Sequence, residues 1–225
     1  MQRRRFLAAL GTTGVASTAG CASVLGGSSN THLSKPEGQS VRSANLPYPA
    51  YGQELPEVTV PDPVAGTEVT TTQYDDRNVL ITFFYTHCNS ICPFLISSLR
   101  QVHTAAKQND YADDMAVLAI TFDPKRDTAD RLREYADMMH VDVDADNWHF
   151  LRPESEQRAK SVVQETFGVT FQKTGATGSS MYMFNHLGLI VLANQRGYVE
   201  RAYTGDDPKA ERVRTDLETV VDAQS

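Results

Sequence analysis

The stretch FFYTHCNSICPFL, residues 83–95, constrains the fold of this chain more than any other part of it. It begins like the end of a buried apolar strand, places Cys88 and Cys92 four residues apart, and continues from Pro93 in a helical pattern. Proline is favoured at the first position of a helix, where its missing N–H costs nothing. We therefore expect Cys92 at the N-terminus of a helix and Cys88 in the preceding loop. The partial positive charge of a helix N-terminus favours the thiolate form of a nearby cysteine.

The spacing of the two cysteines leaves a metal site, a redox couple and a structural disulfide open. Residues four apart on a helix have Cβ atoms about 5–6 Å from each other. A small adjustment reaches either a disulfide, which needs about 3.5–4.5 Å, or two sulfurs on one metal ion. Thioredoxin-type redox motifs have two intervening residues, whereas this motif has three. A disulfide that closes so short a loop contributes little loop entropy, which argues against an inert structural role.

The N-terminal segment, MQRRRFLAALGTTGVASTAGC, has the features of an export signal. It contains the twin-arginine pair Arg3 and Arg4, followed by a weakly apolar stretch that is too short to span a bilayer. Small residues precede Cys21, as they do in a lipobox. We expect residues 1–21 to be a twin-arginine signal with Cys21 as the lipidated residue. An uncleaved anchor would leave the protein on the same, extracytoplasmic side of the membrane.

Export affects the chemistry that is open to the thiols. The destination is more oxidising than a cytosol, so disulfides persist there. Lipidation of Cys21 would leave Cys88 and Cys92 as a single functional pair. Residues 22–45 are rich in Ser, Gly and Asn and predict a flexible tether, and residues 46–225 are long enough for one domain with a sizeable core.

The charge balance excludes one class of partner. The chain has 28 acidic and 21 basic residues, and three of the basic ones lie in the signal, so the mature chain carries a net charge of about −10. It has no basic run and no interleaving of basic with aromatic residues. Nucleic acid is therefore not expected as a partner.

The order of predicted elements indicates the fold class. Residues 57–74 form short β-rich runs broken by proline and glycine, which is typical of a hairpin. NVLITFFY and MAVLAITF are continuous apolar runs of the kind buried on both faces of an α/β sheet. Helices are predicted at 93–109, 127–140, 155–168 and 207–223, and further strands in WHFLR and in MYMFNHLGLIVLANQRGYVERAY. This order predicts a thioredoxin-like α/β sandwich with an added N-terminal β-hairpin.

A metal site would need donors besides the two thiolates, and the chain has six histidines. Five of them have ordinary structural interpretations: His32, His87, His103, His140 and His149. Of these, His103 is expected on a helix surface and His87 to point away from the neighbouring cysteine. His186 precedes the late strands, a position that lies beside the cysteine-bearing helix in a thioredoxin-like fold. The residue pattern alone favours a structural role for His186 as well.

Two acidic residues follow the second predicted strand. Asp123 could orient a metal ligand or contact a partner. Asp127, with Asp130 three residues later, resembles the N-cap of a helix. Capping and turn formation are the favoured interpretation for Asp123 and Asp127.

Four segments, in order, resemble signatures of the Sco/SenC copper chaperones. FFYTHCNSICP resembles YTxCPxxCP, and ITFDPKRDTADRLREYA resembles SxDPxRDTPxxLxxYA. NWHFLRPESEQ resembles the WxxLTG segment, and NHLGLIVLANQRGYVERAY resembles DHSxxxxLxDxxGxxxxxY. The order and spacing hold from about residue 56 to residue 220. Asn89 and Leu187 replace a common proline and serine of the family, which leaves the client protein open.

The resemblance implies that Cys88, Cys92 and His186 bind one copper ion, as Cu(I) or Cu(II). It also implies a membrane-tethered metallochaperone that delivers copper to the dinuclear site in subunit II of cytochrome c oxidase or to a similar copper protein. The alternative is a thiol–disulfide oxidoreductase in which the two cysteines reduce client cysteines and His186 tunes their pKa. A peroxiredoxin-like peroxidase is less well supported, because Tyr85 stands where those enzymes need threonine.

Overall fold

The computed structural model describes residues 30–175, 182–205 and 209–224. The strands within these residues are β1 (Thr59–Asp62), β2 (Thr67–Thr70), β3 (Asn78–Phe84), β4 (Met115–Thr121), β5 (Trp148–Leu151), β6 (Phe171–Thr174), β7 (Met183–His186), β8 (Leu189–Ala193) and β9 (Val199–Thr204). The helices are α1 (Ile91–Gln108), α2 (Ala129–Met139), α3 (Glu156–Ala159), which continues as a π-helix over Lys160–Thr166, and α4 (Ala210–Asp222). Short 3₁₀ turns lie at Ser43–Asn45 and Ala112–Asp114.

A five-stranded mixed sheet with the order β5-β4-β3-β8-β9 forms the centre of the domain. The strands β3, β4 and β5 are parallel, whereas β8 and β9 run antiparallel to their neighbours. The hairpins β1-β2 and β6-β7 are separate from this sheet. The helices flank the sheet, which confirms the predicted thioredoxin-like α/β sandwich, and β1-β2 is the hairpin expected before it.

The core follows from the apolar runs in the sequence. Every residue of β3, β4 and β8 is buried, which requires layers on both faces of the sheet. α1 packs against β3 and against α4. It does so with apolar residues at helical spacing, among them Leu95, Leu99 and Val102, all of which are inaccessible to solvent. Burial of each such leucine contributes about 1.5–3 kcal/mol.

The sheet topology determines which residues meet at the end of β3. The antiparallel register pairs Thr82 with Ile190 near the end of β3 and Val79 with Ala193 near its start. The start of β8 therefore lies at the same end of the sheet as the loop that follows β3. That loop carries the two cysteines, and β7 comes immediately before β8. The topology thus brings the last residue of β7, His186, to the cysteine loop.

Three local predictions need correction. α1 begins at Ile91, so Pro93 is its third residue and not its first. The helix predicted over 155–168 changes to a π-helix after Ala159. The strand β6 was not predicted at all, because none of its four residues is buried and it therefore lacks an apolar pattern. It exists through its pairing with β7.

Packed structure begins earlier than residue 46. The backbone N–H groups of His32 and Leu33 donate to the two carboxylate oxygens of Glu200 at 2.8 and 2.9 Å, and the Asn194 amide donates to the same carboxylate at 2.6 Å. Glu200 is fully buried, and these three donors offset the cost of removing its charge from water. The predicted tether, residues 22–45, is therefore in contact with the domain in part of its described length.

Residues 1–21, including Cys21, lie outside the described residues. The twin-arginine signal, the lipobox and export therefore stay predictions. In the part of the chain that the structure describes, no helix combines the length and the apolar character needed to cross a bilayer.

We expect Gly168→Ala to destabilise the fold strongly. Gly168 has φ +68°, and a Cβ there would lie 1.7 Å from the carbonyl oxygen of Pro47. Gly66 is a matched control, because its φ of +74° imposes the same backbone strain with no atom within 4 Å. In urea unfolding, Gly66→Ala should cost roughly 1–2 kcal/mol and Gly168→Ala clearly more. Equal losses would show that the Pro47 backbone moves away freely.

Candidate metal centre

The cysteine loop joins the end of β3 to the start of α1. Cys88 lies in a turn closed by its N–H, which donates to the carbonyl of Tyr85 at 3.2 Å. Cys92 is the second residue of α1. Both are buried and neither forms a disulfide, so two thiols are available on adjacent turns of chain.

The imidazole of His186 reaches both sulfurs. Its Nε2 lies 3.2 Å from the Sγ of Cys92 and 3.6 Å from the Sγ of Cys88. All three donor atoms lie within 4.8 Å of one another. The juxtaposition that the resemblance implied is thus present, although the residue pattern alone favoured a structural histidine.

Aromatic packing and one hydrogen bond hold the histidine in place. The His186 ring contacts the rings of Tyr85 and Phe122, with centroids 5.9 and 5.1 Å away. The Phe184 N–H on the same strand donates to the Tyr85 hydroxyl at 3.2 Å. Tyr85 therefore links the segment that carries the cysteines to the strand that carries His186.

A close approach after β7 brings α1 against the histidine strand. A Cβ at Gly188 would lie 2.5 Å from the Cδ1 of Ile91 and 2.7 Å from the carbonyl oxygen of Gly205. Ile91 is the first residue of α1. Glycine at position 188 thus permits the start of α1 to lie against the turn that follows His186.

The pKa values of the two thiols are shifted in opposite directions. A hydrogen bond from the Cys92 thiol, with further ones involving His186 and Ser90, lowers the pKa of Cys88 to about 3, against the opposing effect of burial. Burial, together with the Cys88 charge, raises the pKa of Cys92 far above its usual value. At neutral pH the pair is therefore one thiolate and one thiol that donates to it.

The donor set fits a soft metal ion. Sulfur and imidazole ligands at about 2.3 and 2.0 Å from one ion are separated from each other by roughly 3.3–3.8 Å. The observed sulfur–nitrogen separations of 3.2 and 3.6 Å are close to that range. Thiolates select copper(I), zinc and iron–sulfur clusters, and imidazole also suits copper(II).

Asp127 has a different role from the predicted one. Thr128 and not Asp127 is the N-cap of α2. The Asp127 carboxylate is fully buried and accepts hydrogen bonds from the Thr86 N–H at 3.2 Å, the Thr86 hydroxyl at 2.6 Å and the Thr121 hydroxyl. Burial raises its pKa to about 6.

Arg131 donates to the hydroxyl and carbonyl oxygens of Thr86 at 3.0 and 3.2 Å. Thr86 lies two residues before Cys88, so this network fixes the entry to the cysteine loop.

Asp123 is held by neighbours other than the three donors. Its carboxylate accepts hydrogen bonds from the Tyr182 hydroxyl at 2.7 Å and from Arg126. Its backbone carbonyl closes a turn with the N–H groups of Arg126 and Asp127, as the turn interpretation expected. The suggestion that Asp123 orients a metal ligand stays a prediction, since its described contacts do not include the cysteines or His186.

The other histidines lie outside the three-donor group. The prediction for His103 was wrong, because it is buried and pairs with Asn147 at 2.8 Å. His149 is structural and contacts Asp62 at 2.9 Å. His140 ends α2 as its C-cap. His87 lies near Asp123 and Asp127. Burial and the charges of Arg126 and Arg131 lower the pKa of His87, so its protonated form is disfavoured.

We expect one thiolate per chain that persists to acidic pH. The ultraviolet absorbance of the thiolate should fall only as the pH approaches the Cys88 pKa of about 3. Cys88→Ala should abolish this absorbance at pH 7. Cys92→Ala should keep it but shift its loss to higher pH, because the donor to the thiolate is removed. A thiolate that survives in Cys88→Ala would reverse the assignment.

We expect Asp127→Ala to loosen the cysteine loop. The variant leaves the buried N–H of Thr86 without its acceptor, which costs about 1–3 kcal/mol in urea unfolding, whereas Asp127→Asn retains an acceptor and should cost less. Asp62→Ala is the control, since Asp62 is another buried carboxylate that accepts backbone N–H groups, from Val64 and Ala65. Only Asp127→Ala should also move the pKa of the cysteine thiolate. The same pKa in both alanine variants would limit Asp127 to general stability.

Comparison with known proteins identifies the family. The SCO1/SenC family model matches residues 63–222. A SCO2-like protein of Rickettsia typhi is 27% identical over 126 residues, which are 55% of this chain and 58% of the relative. A SCO2-like protein of Rickettsia conorii is 27% identical over 132 residues, 58% of this chain and 60% of the relative. The chain thus spans about three fifths of the curated relatives it matches.

Solved structures share the fold. A SCO1/SenC family lipoprotein from Bacillus anthracis matches with a TM-score of 0.63 at 17% identity, over 76% of this chain and 97% of that one. ScoI of Bradyrhizobium japonicum, solved with copper bound, matches with a TM-score of 0.55 at 23% identity, over 76% of this chain and 99% of that one. At these identities the likeness extends to the fold alone, and the family follows from the match over residues 63–222. The chain is a member of the SCO1/SenC family.

Proposed function

We propose that this chain is a membrane-tethered, extracytoplasmic copper chaperone that delivers copper to the dinuclear site of cytochrome c oxidase subunit II. The observation that carries the proposal is the approach of Cys88, Cys92 and His186 to within 4.8 Å of one another. Two sulfurs and one imidazole are a donor set that copper prefers. The SCO1/SenC family is known for copper binding in cytochrome c oxidase assembly, and ScoI of Arabidopsis thaliana and yeast Sco1 have also been solved with copper bound.

In this proposal copper is the cargo, carried as one ion on three donors. The ionised Cys88 thiolate attracts the copper cation to the site. Cys92 loses its proton when it binds the ion, because a metal ligand must be a thiolate. Three ligands leave room for a donor from an acceptor protein, so the ion moves by ligand exchange.

The N-terminal segment supports an orientation relative to the membrane. Asn30 accepts a hydrogen bond from Asn194 at 2.8 Å, directly after β8 and thus at the end of the sheet opposite the cysteine loop. The nine residue-to-residue steps from Cys21 to Asn30 span at most about 30 Å. With a lipid on Cys21, the metal centre faces away from the membrane surface at a limited height. Lipidation, export by the twin-arginine route and the extracytoplasmic location are parts of this proposal.

A second candidate function is thiol–disulfide exchange. The low pKa of Cys88, about 3, and the adjacent free thiol of Cys92 are features of a pair that takes part in thiol–disulfide exchange with a client. In this alternative His186 is dispensable for chemistry. His186→Ala therefore separates the two functions, since it should abolish tight copper binding but leave disulfide exchange largely intact.

We expect anaerobic titration of the reduced protein to give one tight copper(I) equivalent. Cys88→Ala, Cys92→Ala and His186→Ala each remove one of the three donors, and each should weaken copper affinity by at least about tenfold, as even loss of an outer contact does at metal sites. Competition with a colorimetric copper(I) chelator measures the change.

The control for this titration is His140→Asn, which removes a histidine outside the three-donor group and keeps a residue that tolerates its φ of +54°. Copper affinity should be unchanged in this variant. A wild-type protein without a tight equivalent, or a His186→Ala variant with undiminished affinity, would contradict the three-donor proposal.

A further inference from the structure

The side chains that line the two depressions beside His186 include no aspartate, glutamate, lysine or arginine. His186 borders a depression of about 430 Å³ that we call the His186 groove, lined by Ser90, Ile91, Phe94, Phe184, Asn185 and His186. On its other side lies a second depression of about 580 Å³, lined by Gln164, Thr170, Phe171, Gln172, Asn185, His186 and Leu187. The chain as a whole has an acidic excess, so an uncharged lining beside the three donors is a local feature of composition.

Phe94 is the exposed large apolar residue of the groove. Its side chain is 59% exposed, and it lies two residues after Cys92 on the first turn of α1. Among the described residues, the other exposed large apolar side chains are Val41, Met138 and Met183. Met183 belongs to the same strand as His186. An exposed apolar side chain beside a site favours a contact with a partner, and aromatic residues contribute most to such contacts.

Ligand exchange dictates where an acceptor must sit. A donor atom of the acceptor has to come within bonding distance of an ion held by Cys88, Cys92 and His186. Cys92 is fully buried and Cys88 is 7% exposed, whereas His186 is only partly buried. The acceptor must therefore approach over His186, and the surface that it covers there includes the groove.

We propose that the His186 groove is the docking surface for the copper-accepting protein, with Phe94 as its apolar contact. This inference rests on the proposed copper-chaperone function. The partner that fits is a copper protein whose metal-binding loop presents a thiol or imidazole donor next to an apolar side chain that packs on Phe94. Charged groups do not guide the approach in the described part of this surface.

The transfer step involves no change of oxidation state. Copper passes as Cu(I): each bond to a sulfur or nitrogen of this chain breaks as a bond to a donor of the acceptor forms, and no electron moves. Thiols of the acceptor that become ligands release protons. Of the two thiolates released here, Cys92 takes up a proton and becomes a thiol again, while Cys88 stays a thiolate.

Two consequences distinguish this surface from an electrostatic one. Transfer should depend weakly on ionic strength, because salt screens charge pairs but not apolar contacts. Removal of the Phe94 ring should slow transfer to a protein without affecting transfer to a small molecule. A small chelator reaches the ion without contacting the docking surface.

The experiment follows copper(I) release from the loaded full-length protein, in detergent, to two probes. One probe is the apo soluble domain of a cytochrome c oxidase subunit II, and the other is the chelator bicinchoninate. For Phe94→Ala we expect transfer to the protein probe to slow by about tenfold or more, the loss typical of a contact that dominates an interface. Transfer to the chelator should remain at the wild-type rate, and Phe94→Leu should recover part of the loss.

Met138→Ala is the matched control, because Met138 is 56% exposed and lies on α2. It should leave both rates unchanged. Equal rates to the protein probe for Phe94→Ala, Met138→Ala and wild type would overturn the docking proposal, as would a steep fall of the wild-type rate with added salt. A wild-type protein that loads copper and gives it only to the chelator would overturn it too, while leaving copper binding intact. Failure to load copper at all would refute the proposed function and this inference with it.

Discussion

The approach of the His186 ring to the sulfurs of Cys92 and Cys88 depends on the antiparallel placement of β8 beside β3. If β8 ran parallel to β3, its start would lie at the other end of the sheet and β7 would be far from the cysteine loop. The mixed sheet therefore creates the three-donor group. The hydrophobic core that fixes the sheet, with β3, β4 and β8 buried throughout, also fixes the distance between donors that are 94 residues apart.

Holding a thiolate at this position requires polar support in a mostly apolar environment. The Cys92 thiol donates to the Cys88 thiolate, and the network of Asp127, Thr86 and Arg131 secures the chain just before it. On the other side, the Tyr85 hydroxyl binds the backbone of the histidine strand. Each of these contacts restrains a chain segment that carries one of the three donors. A preformed site binds its ion without the cost of ordering its ligands.

Local patterns in the sequence predicted much of this fold, and long-range contacts account for what they missed. The apolar runs and helical spacings indicated the sheet, the helices and the position of the cysteines. His103 was misplaced although it follows Leu99 by four residues on the same helix face, because its buried partner Asn147 is distant in the chain. The N-cap prediction for Asp127 likewise used only neighbouring residues, whereas the Asp127 carboxylate accepts a hydrogen bond from Thr86, 41 residues away. For His186, only the resemblance to a family indicated a ligand, since no spacing in the chain relates it to the cysteines.

If the chain delivers copper as proposed, the unequal exposure of the three donors implies an order in which its bonds to the ion are replaced. His186 is the outermost donor, Cys88 is 7% exposed, and Cys92 is inaccessible to solvent. An acceptor donor reaches the ion first from the histidine side, so the bond to His186 is the first that can be replaced without opening the fold. Cys92 is then the last ligand to leave, and its high pKa means that it takes up a proton as it does so. That protonation competes with rebinding of the ion at this site. Oxidation of the same two sulfurs to a disulfide would remove both thiolates together, so the proposed copper carriage requires the reduced pair.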